Sequence, residues 1–520
     1  MTGREKSDDR VVPEDRRKAV PIAEELRGGK AVTDGPSVAQ LRLFPETADS
    51  PKGDSGEAAN DASLPATTEV PKSGNTKEAP LPAMTMEEVA NYGNLREAFR
   101  QVASNKGAPG PDRESIEQVQ ARLHDVLTVL NRGLLDGSYR PGMIRRVWIP
   151  KGGGGQRGLG IPNVIDRIVQ QAVYRVMNPH YDPTFHPSSH GFREGRSCHT
   201  AIAEAVGYLE GGNGWVVDMD LEKFFDRVNH DRLLSRLEQR MKDRRLLSLI
   251  RQMLKAKVVM PDGVVVTTEE GTPQGGPLSP LLSNIVLDEL DEELTRRGLH
   301  FVRYADDCNI YVRSKRSGER VMASISRFIE TRLRLKVNAA KSAVARPEER
   351  HFLGFRLRPD AWHGSVEVLL SKRSKERIDG KIRELTPRNW GNSLDACLFR
   401  LRQYVAGWIG FFWICTQAEA STFAKLDAHI RRRLRAMLLR HWKRRRFIVR
   451  QLIRRGTRAT TAWRSVYRLR RGWWALSHLP VVEQALPNAF FARAGLVSLF
   501  DEWVATRRRH DRARSQAGLW

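Results

Sequence analysis

Cysteine is scarce in this chain of 520 residues: Cys198, Cys308, Cys397 and Cys415 stand far apart, and no Cys-x-x-Cys pair occurs. That spacing excludes a zinc finger and a disulfide scaffold. No apolar run is long enough to span a bilayer and no signal peptide opens the chain, so a cytoplasmic protein with no membrane partner is expected. A fixed-period internal repeat is missing too, which excludes a solenoid. Acidic residues are in deficit, 61 Asp and Glu against 87 Lys and Arg, giving a formal charge of +26. Residues 1 to about 83 are rich in Pro, Ser, Gly, Glu and Asp and have little apolar periodicity. They cannot bury enough surface to offset ordering entropy, so a disordered extension is expected there.

The positive excess then concentrates in the rest of the chain, above all from Ile430-Arg431-Arg432-Arg433-Leu434-Arg435 to His441-Trp442-Lys443-Arg444-Arg445-Arg446. Such clusters bind phosphate backbones by counterion release, which points to a nucleic-acid partner. Leu434, Met437, Leu438 and Trp442 form an apolar stripe within them, expected to pack while the arginines face outward.

Two apolar-rich runs in Phe301-Val302-Arg303-Tyr304-Ala305-Asp306-Asp307-Cys308-Asn309-Ile310-Tyr311-Val312 close on adjacent carboxylates, the pattern of a β-hairpin with acids at its turn. Neighbouring like charges are costly unless a cation neutralises them. An Asp-Asp pair alone more often marks a solvated turn, so its surroundings decide. Upstream, Trp215-Val216-Val217-Asp218-Met219-Asp220 reads as a core strand with acids at its end. If the two segments share a sheet, Asp220 faces Asp306 and Asp307. Hard cations such as Mg²⁺ prefer carboxylate oxygens, and two of them about 3.5–4 Å apart can serve phosphoryl transfer. Between these segments lies Gly271-Thr272-Pro273-Gln274-Gly275-Gly276-Pro277-Leu278-Ser279-Pro280, whose Gly and Pro density forces a tight loop leading into an apolar helix.

The ordered set resembles a group II intron-encoded reverse transcriptase, the kind that also acts as a maturase. It begins with Asn105-Lys106-Gly107-Ala108-Pro109-Gly110-Pro111-Asp112 and Arg146-Val147-Trp148-Ile149-Pro150-Lys151. Gly160-Ile161-Pro162-Asn163-Val164-Ile165-Asp166-Arg167 and His190-Gly191-Phe192-Arg193-Glu194-Gly195-Arg196-Ser197 come next. The acidic strand, the Pro-Gln-Gly loop, the Tyr-Ala-Asp-Asp turn and His351-Phe352-Leu353-Gly354-Phe355 complete it, and several motifs in order are far more specific than one.

The resemblance implies an α+β right-hand polymerase, with fingers and palm built on an antiparallel sheet, followed by an all-α thumb or maturase domain. The boundaries expected are 1–83 for the extension, 84–212 for N-terminal helices and fingers, 213–370 for the palm, 371–490 for the helical domain and 491–520 for a basic tail. It further implies an RNA-directed DNA polymerase that assists intron splicing and retrohoming, with RNA template, DNA primer or target and deoxynucleoside triphosphates as partners. Asp220, Asp306 and Asp307 would hold two Mg²⁺ ions, with Mn²⁺ as a substitute. Asp218 and Asp226 would orient the turn or cap the segment after it. Lys151 and Arg157 would wrap the triphosphate, Gln274 would lie against the nascent base pair, and Lys341 would help pyrophosphate leave. Phe225 would sit beneath the sugar and clash with a 2′-hydroxyl; ordinary core packing beside Phe224 is the bland alternative.

Three departures stand out. Gly158 replaces the proline usual in the Arg-Pro-Leu-Gly stretch, which is expected to loosen the finger loop. Ala340 stands where glutamate commonly precedes the lysine, and the extension is the third. No endonuclease segment with histidine and paired cysteines is seen, so nicking is expected to come from elsewhere. Heavy use of Arg and Ala is the coding habit of a GC-rich bacterial genome, so nucleoid association in a bacterium is expected. Other readings are a free-standing relative used by its host in DNA repair or defence, a non-catalytic RNA-binding maturase, and a viral-type RNA polymerase, which Phe225 opposes. The charge leads to a direct expectation: RNA binding weakens steeply as salt rises. Filter binding at two ionic strengths checks it, and a salt-independent affinity would remove the phosphate-contact reading.

Overall fold

The computed structural model describes residues 83–150, 155–267, 269–360, 364–387, 391, 393–468 and 472–516. The expected disordered extension, apart from its last residue, lies outside them, as does Lys151. Helices Met86–Ala90, Tyr92–Ser104, Ile116–Ala121 and Leu123–Leu135 open the described chain. On the second, Leu95, Ala98, Phe99 and Val102 recur at helical spacing and are all buried, and this face packs on helix Val164–Tyr181.

Among the described residues ten strands succeed one another: β1 (Ile144–Pro150), β2 (Gln156–Ile161), β3 (Trp215–Met219), β4 (Val258–Val259), β5 (Val265–Val266), β6 (His300–Tyr304), β7 (Asp307–Val312), β8 (Ala343–Ala345), β9 (Phe355–Pro359) and β10 (Val366–Leu370). They make three sheets, ordered β2-β1-β4-β5, β6-β7-β3-β8 and β10-β9. The second sheet is antiparallel throughout. Its registers pair Val217 with Ile310 and Met219 with Cys308 across β3 and β7, and Val217 with Val344 across β3 and β8.

Strand alternation sends successive side chains of this sheet to opposite faces, and both faces are covered. Val217, Phe301 and Ile310 join one core with helices Ser279–Arg296 and Lys315–Phe328. Val216, Val302 and Tyr311 join another, shared with helix Cys198–Glu210 and with the C-terminal helices. Helix Lys315–Phe328 lies close on the sheet: a Cβ on Gly318 would stand 2.5 Å from a Val344 methyl.

Among the described residues no strand follows Leu370, and helices Lys372–Leu385, Leu394–Phe412, Ala420–His441, Arg445–Arg454 and Ala459–Arg468 succeed one another. This is the α+β layout followed by an all-helical region that the sequence predicts. The arginine cluster does not lie wholly outward, as its apolar stripe suggested. Arg433 and Arg435 are 8% and 6% exposed. Arg433 donates to the Thr386 hydroxyl at 2.5 Å and the Thr386 carbonyl at 2.7 Å, satisfying the end of helix Lys372–Leu385. Arg435 pairs with Glu483 at 3.0 Å and donates to the Leu486 carbonyl.

Within the basic C-terminal stretch, residues Leu499–Gln516 form a helix. Its start is capped by Asp427, which accepts from the amides of Leu499 and Phe500 at 2.8 and 3.1 Å. Trp503 is 1% exposed and packs on Phe423, with its indole N–H on the Cys415 carbonyl. Trp503→Ala removes this anchor at a cost of about 3–5 kcal/mol. Urea unfolding and trypsin cleavage at Arg508 and Arg509 check it, and an unchanged midpoint with unchanged protection would contradict the anchoring role.

Candidate active site

The hairpin β6–β7 turns through Ala305 and Asp306, with Ala305 at φ +56°. Pairing of Met219 with Cys308 brings the end of β3 beside that turn, so Asp220 comes next to the two acids 86 and 87 positions later. Burial and the charge of Asp220 raise the Asp306 carboxyl above its ordinary range, with Arg157 and Arg303 opposing. Asp307 is pushed up to about 7, first by the protein around it and then by repulsion from Asp306, Asp218 and Asp220. The residue is nonetheless exposed to solvent at the end of the hairpin.

Lys341 stands against this cluster with Nζ 3.5 Å from Asp220 Oδ2. The Asp220 backbone is held by the Ser342 hydroxyl on its amide, 3.0 Å, and by the Asn338 amide on its carbonyl, 2.8 Å. Asp218, two residues earlier, takes Arg350 Nε at 2.8 Å, and Arg350 also donates to the Lys341 carbonyl at 2.6 Å. Asp218 is therefore an anchor for the segment that presents Lys341.

The donor set suits a hard divalent cation: three carboxylates, mutually repelling, at the end of a sheet whose faces are apolar and packed. Among the described residues no group of three or more Asp, Glu, His or Cys side chains is already gathered around one point. The register brings Asp220 beside Asp306 and Asp307, and the raised carboxyl groups of Asp306 and Asp307 mark crowded negative charge that a cation relieves.

Fingers and loop meet beside these acids. Arg157 Nε donates to Gln274 Oε1 at 2.6 Å, and the Gly160 amide donates to the Gln274 carbonyl at 2.6 Å. Gly275, at φ +120°, allows it: a Cβ there would stand 2.5 Å from the Gly160 carbonyl. The finger loop at 151–154, which Gly158 is expected to loosen, lies outside the described residues; Gly158 itself is in a strand. It lies within β2 opposite Trp148, and a Cβ would stand 2.7 Å from the Arg146 guanidinium, which crosses the Trp148 ring. Phe225 is 7% exposed and meets Phe224 edge-on with centroids 5.2 Å apart. It belongs to the core and also reaches the loop, since its carbonyl accepts from the Thr272 amide, two residues before Gln274.

Arg303 is the positioning residue that sequence reasoning missed. It is fully buried, and all five of its N–H groups have partners. Nε and one Nη2 proton bind Asp291 at 2.7 and 2.6 Å. The others reach the Ser189 hydroxyl at 2.7 Å, Asn284 Oδ1 at 3.0 Å and the Ala305 carbonyl at 3.0 Å. Gly191 packs beneath the same turn, where a Cβ would stand 2.3 Å from the Ala305 nitrogen. The only signal in the sequence was one charge inside an apolar strand.

Residues 149–357 match the reverse transcriptase (RNA-dependent DNA polymerase) family, and residues 375–474 match the group II intron maturase-specific domain. Protein YkfC of Escherichia coli is 34% identical over 352 residues, covering 59% of this chain and 89% of that protein. The group II intron-encoded protein LtrA of Lactococcus lactis is 36% identical over 207 residues, 40% of this chain and 34% of LtrA. A solved partial Cas6-RT-Cas1–Cas2 complex aligns with a TM-score of 0.32 and 24% identity, over 47% of this chain and 42% of that one.

Arg303→Met strands the Asp291 carboxylate without a counter-charge and is expected to cost about 3–5 kcal/mol. Adding Asp291→Leu is expected to recover part of that loss. Denaturant unfolding of both variants checks the coupling, and strictly additive losses would refute it.

Proposed function

The chain belongs to the group II intron-encoded reverse transcriptase and maturase family, and from that premise we propose that it copies RNA into DNA at Asp220, Asp306 and Asp307 while its helical region engages intron RNA to aid splicing and retrohoming. The observation that supports this is the register that sets Asp220 beside the Asp306–Asp307 turn, with Lys341 3.5 Å from Asp220 and with Arg157, bonded to Gln274, close enough to act on the Asp306 carboxyl. The substrates are an RNA template, a DNA primer or target, and deoxynucleoside triphosphates. We divide the chain functionally as the motifs suggest, at about residues 83, 212, 370 and 490, and place the enzyme beside the nucleoid of a bacterial cytoplasm, where its charge of +26 meets nucleic acid.

Asp220, Asp306 and Asp307 would hold two Mg²⁺ ions, or Mn²⁺ in their place. Ions held there would supply positive charge to the oxygens of phosphoryl transfer. The protein's own groups do the rest. Arg157, with Lys151 outside the described residues, binds the triphosphate; Gln274, bonded to Arg157, lies against the nascent base pair; and Phe225 lies under the sugar. Lys341, already paired with Asp220, is placed to give a proton to departing pyrophosphate, and Arg350 keeps it there through its carbonyl.

Primer extension on an RNA template with Mg²⁺ and deoxynucleotides tests the reading. The Asp306→Ala, Asp307→Ala double variant is expected to lose at least about 10³-fold in rate while keeping RNA affinity. If wild type and variant both bind RNA and neither extends, the chain is a maturase without polymerase activity and the catalytic assignment is wrong.

A further inference from the structure

The four-residue helix Phe224–Arg227 that carries Phe225 is not held by its own turn alone. It starts from Lys223 in the left-handed region, and no side chain caps it. Its support comes from the strap that begins at Glu270. The Thr272 amide donates to the Phe225 carbonyl at 2.6 Å, and the Gly271 amide donates to the Val228 carbonyl at 2.8 Å. Asn229 and Glu270 form an antiparallel bridge beside them.

His230 closes this arrangement from below. Its ring is 3% exposed, with Nε2 2.7 Å from the Gly271 carbonyl oxygen. A carbonyl only accepts, so Nε2 carries the proton and donates. Nδ1 has no partner among the described residues. The imidazole is thus kept in the core for the single bond that fixes Gly271. Gly271 itself sits at φ +93°, and a Cβ there would stand 2.7 Å from the Phe225 carbonyl oxygen and 2.9 Å from Asp226 Cα. The two backbones approach as closely as glycine permits.

The same strap continues to Gln274, which is bonded through its carbonyl to Gly160 and through its side chain to Arg157. One short segment therefore registers the ring under the sugar against the groups that face the base pair and the triphosphate. A gate that distinguishes nucleotides by one hydroxyl depends on placement finer than about 1 Å. We propose that His230 and Gly271 are positioning residues that set the height of the Phe225 ring, and with it the discrimination between deoxyribonucleotides and ribonucleotides. This rests on the reading of Phe225 as the sugar gate.

The test is single-nucleotide extension by the full chain on an RNA template and DNA primer, measuring kcat/KM for a deoxynucleotide and its ribonucleotide counterpart. Wild type is compared with Phe225→Ala, His230→Ala, His230→Gln and Gly271→Ala. His230→Ala is expected to lower the discrimination ratio by about tenfold or more, with a smaller fall in deoxynucleotide kcat/KM. His230→Gln, whose amide can donate to the Gly271 carbonyl, is expected to restore part of the ratio. Gly271→Ala is expected to lower it as well; should that variant not fold, the His230 pair decides. If Phe225→Ala lowers the ratio while His230→Ala slows both nucleotides by the same factor, the positioning role is overturned and the gate stands. If Phe225→Ala leaves the ratio unchanged, the gate is overturned and this inference falls with it.

Discussion

Arg303 sits in an otherwise apolar strand, out of reach of water, with five N–H groups that must all be satisfied inside the protein. Asp291 takes two of them from helix Ser279–Arg296, and Asn284 on the same helix takes a third. Ser189 and the Ala305 carbonyl take the remaining two. The side chain thus joins the helix after the Pro-Gln-Gly loop, the segment before Gly191 and the turn that carries Asp306 and Asp307. Its backbone adds two more ties, accepting from the His190 amide and donating to the Ser188 carbonyl. Desolvating such a pair is expensive, and full satisfaction of both partners is what makes it tolerable. The left-handed Ala305 is a consequence, because the guanidinium holds its carbonyl inward while Asp306 and Asp307 remain at the turn.

The carboxylates repel one another, yet each stands at a strand end whose other residues are buried on both sides of the sheet. Val217 and Ile310 hold one face and Val216 and Tyr311 the other, so the strands cannot separate to relax the repulsion without opening two cores. Electrostatic repulsion is thereby held at the strand ends, where a cation would relieve it. Lys341 partly offsets it at Asp220, and its own position depends on Arg350 and Asp218 one layer further in.

Positive charge is divided between binding and building. Arg433 and Arg435 lie in the densest basic run of the chain, but their guanidinium groups end helices and close carbonyls within the helical region. An arginine-rich segment in a folded helix is therefore no direct measure of phosphate-binding capacity. Asp427 and Trp503 do the comparable anchoring for the terminal helix, leaving Arg508, Arg509 and Arg512 at the surface.

Local pattern alone determined the acidic hairpin, the acidic strand, the tight Pro-Gln-Gly loop and the change to helices after about residue 370. Each of these is written within a dozen neighbouring residues as alternation, turn chemistry or helical spacing. Pairings across long separations were decided only by tertiary structure. Arg157 with Gln274, Lys341 with Asp220, Arg303 with Asp291 and Ser189, and His230 with Gly271 have no shared period or motif spacing. The outward face assigned to Arg433 and Arg435 failed for the same reason: helical spacing states which side an arginine occupies, but only the packed neighbours determine whether water or a carbonyl receives it.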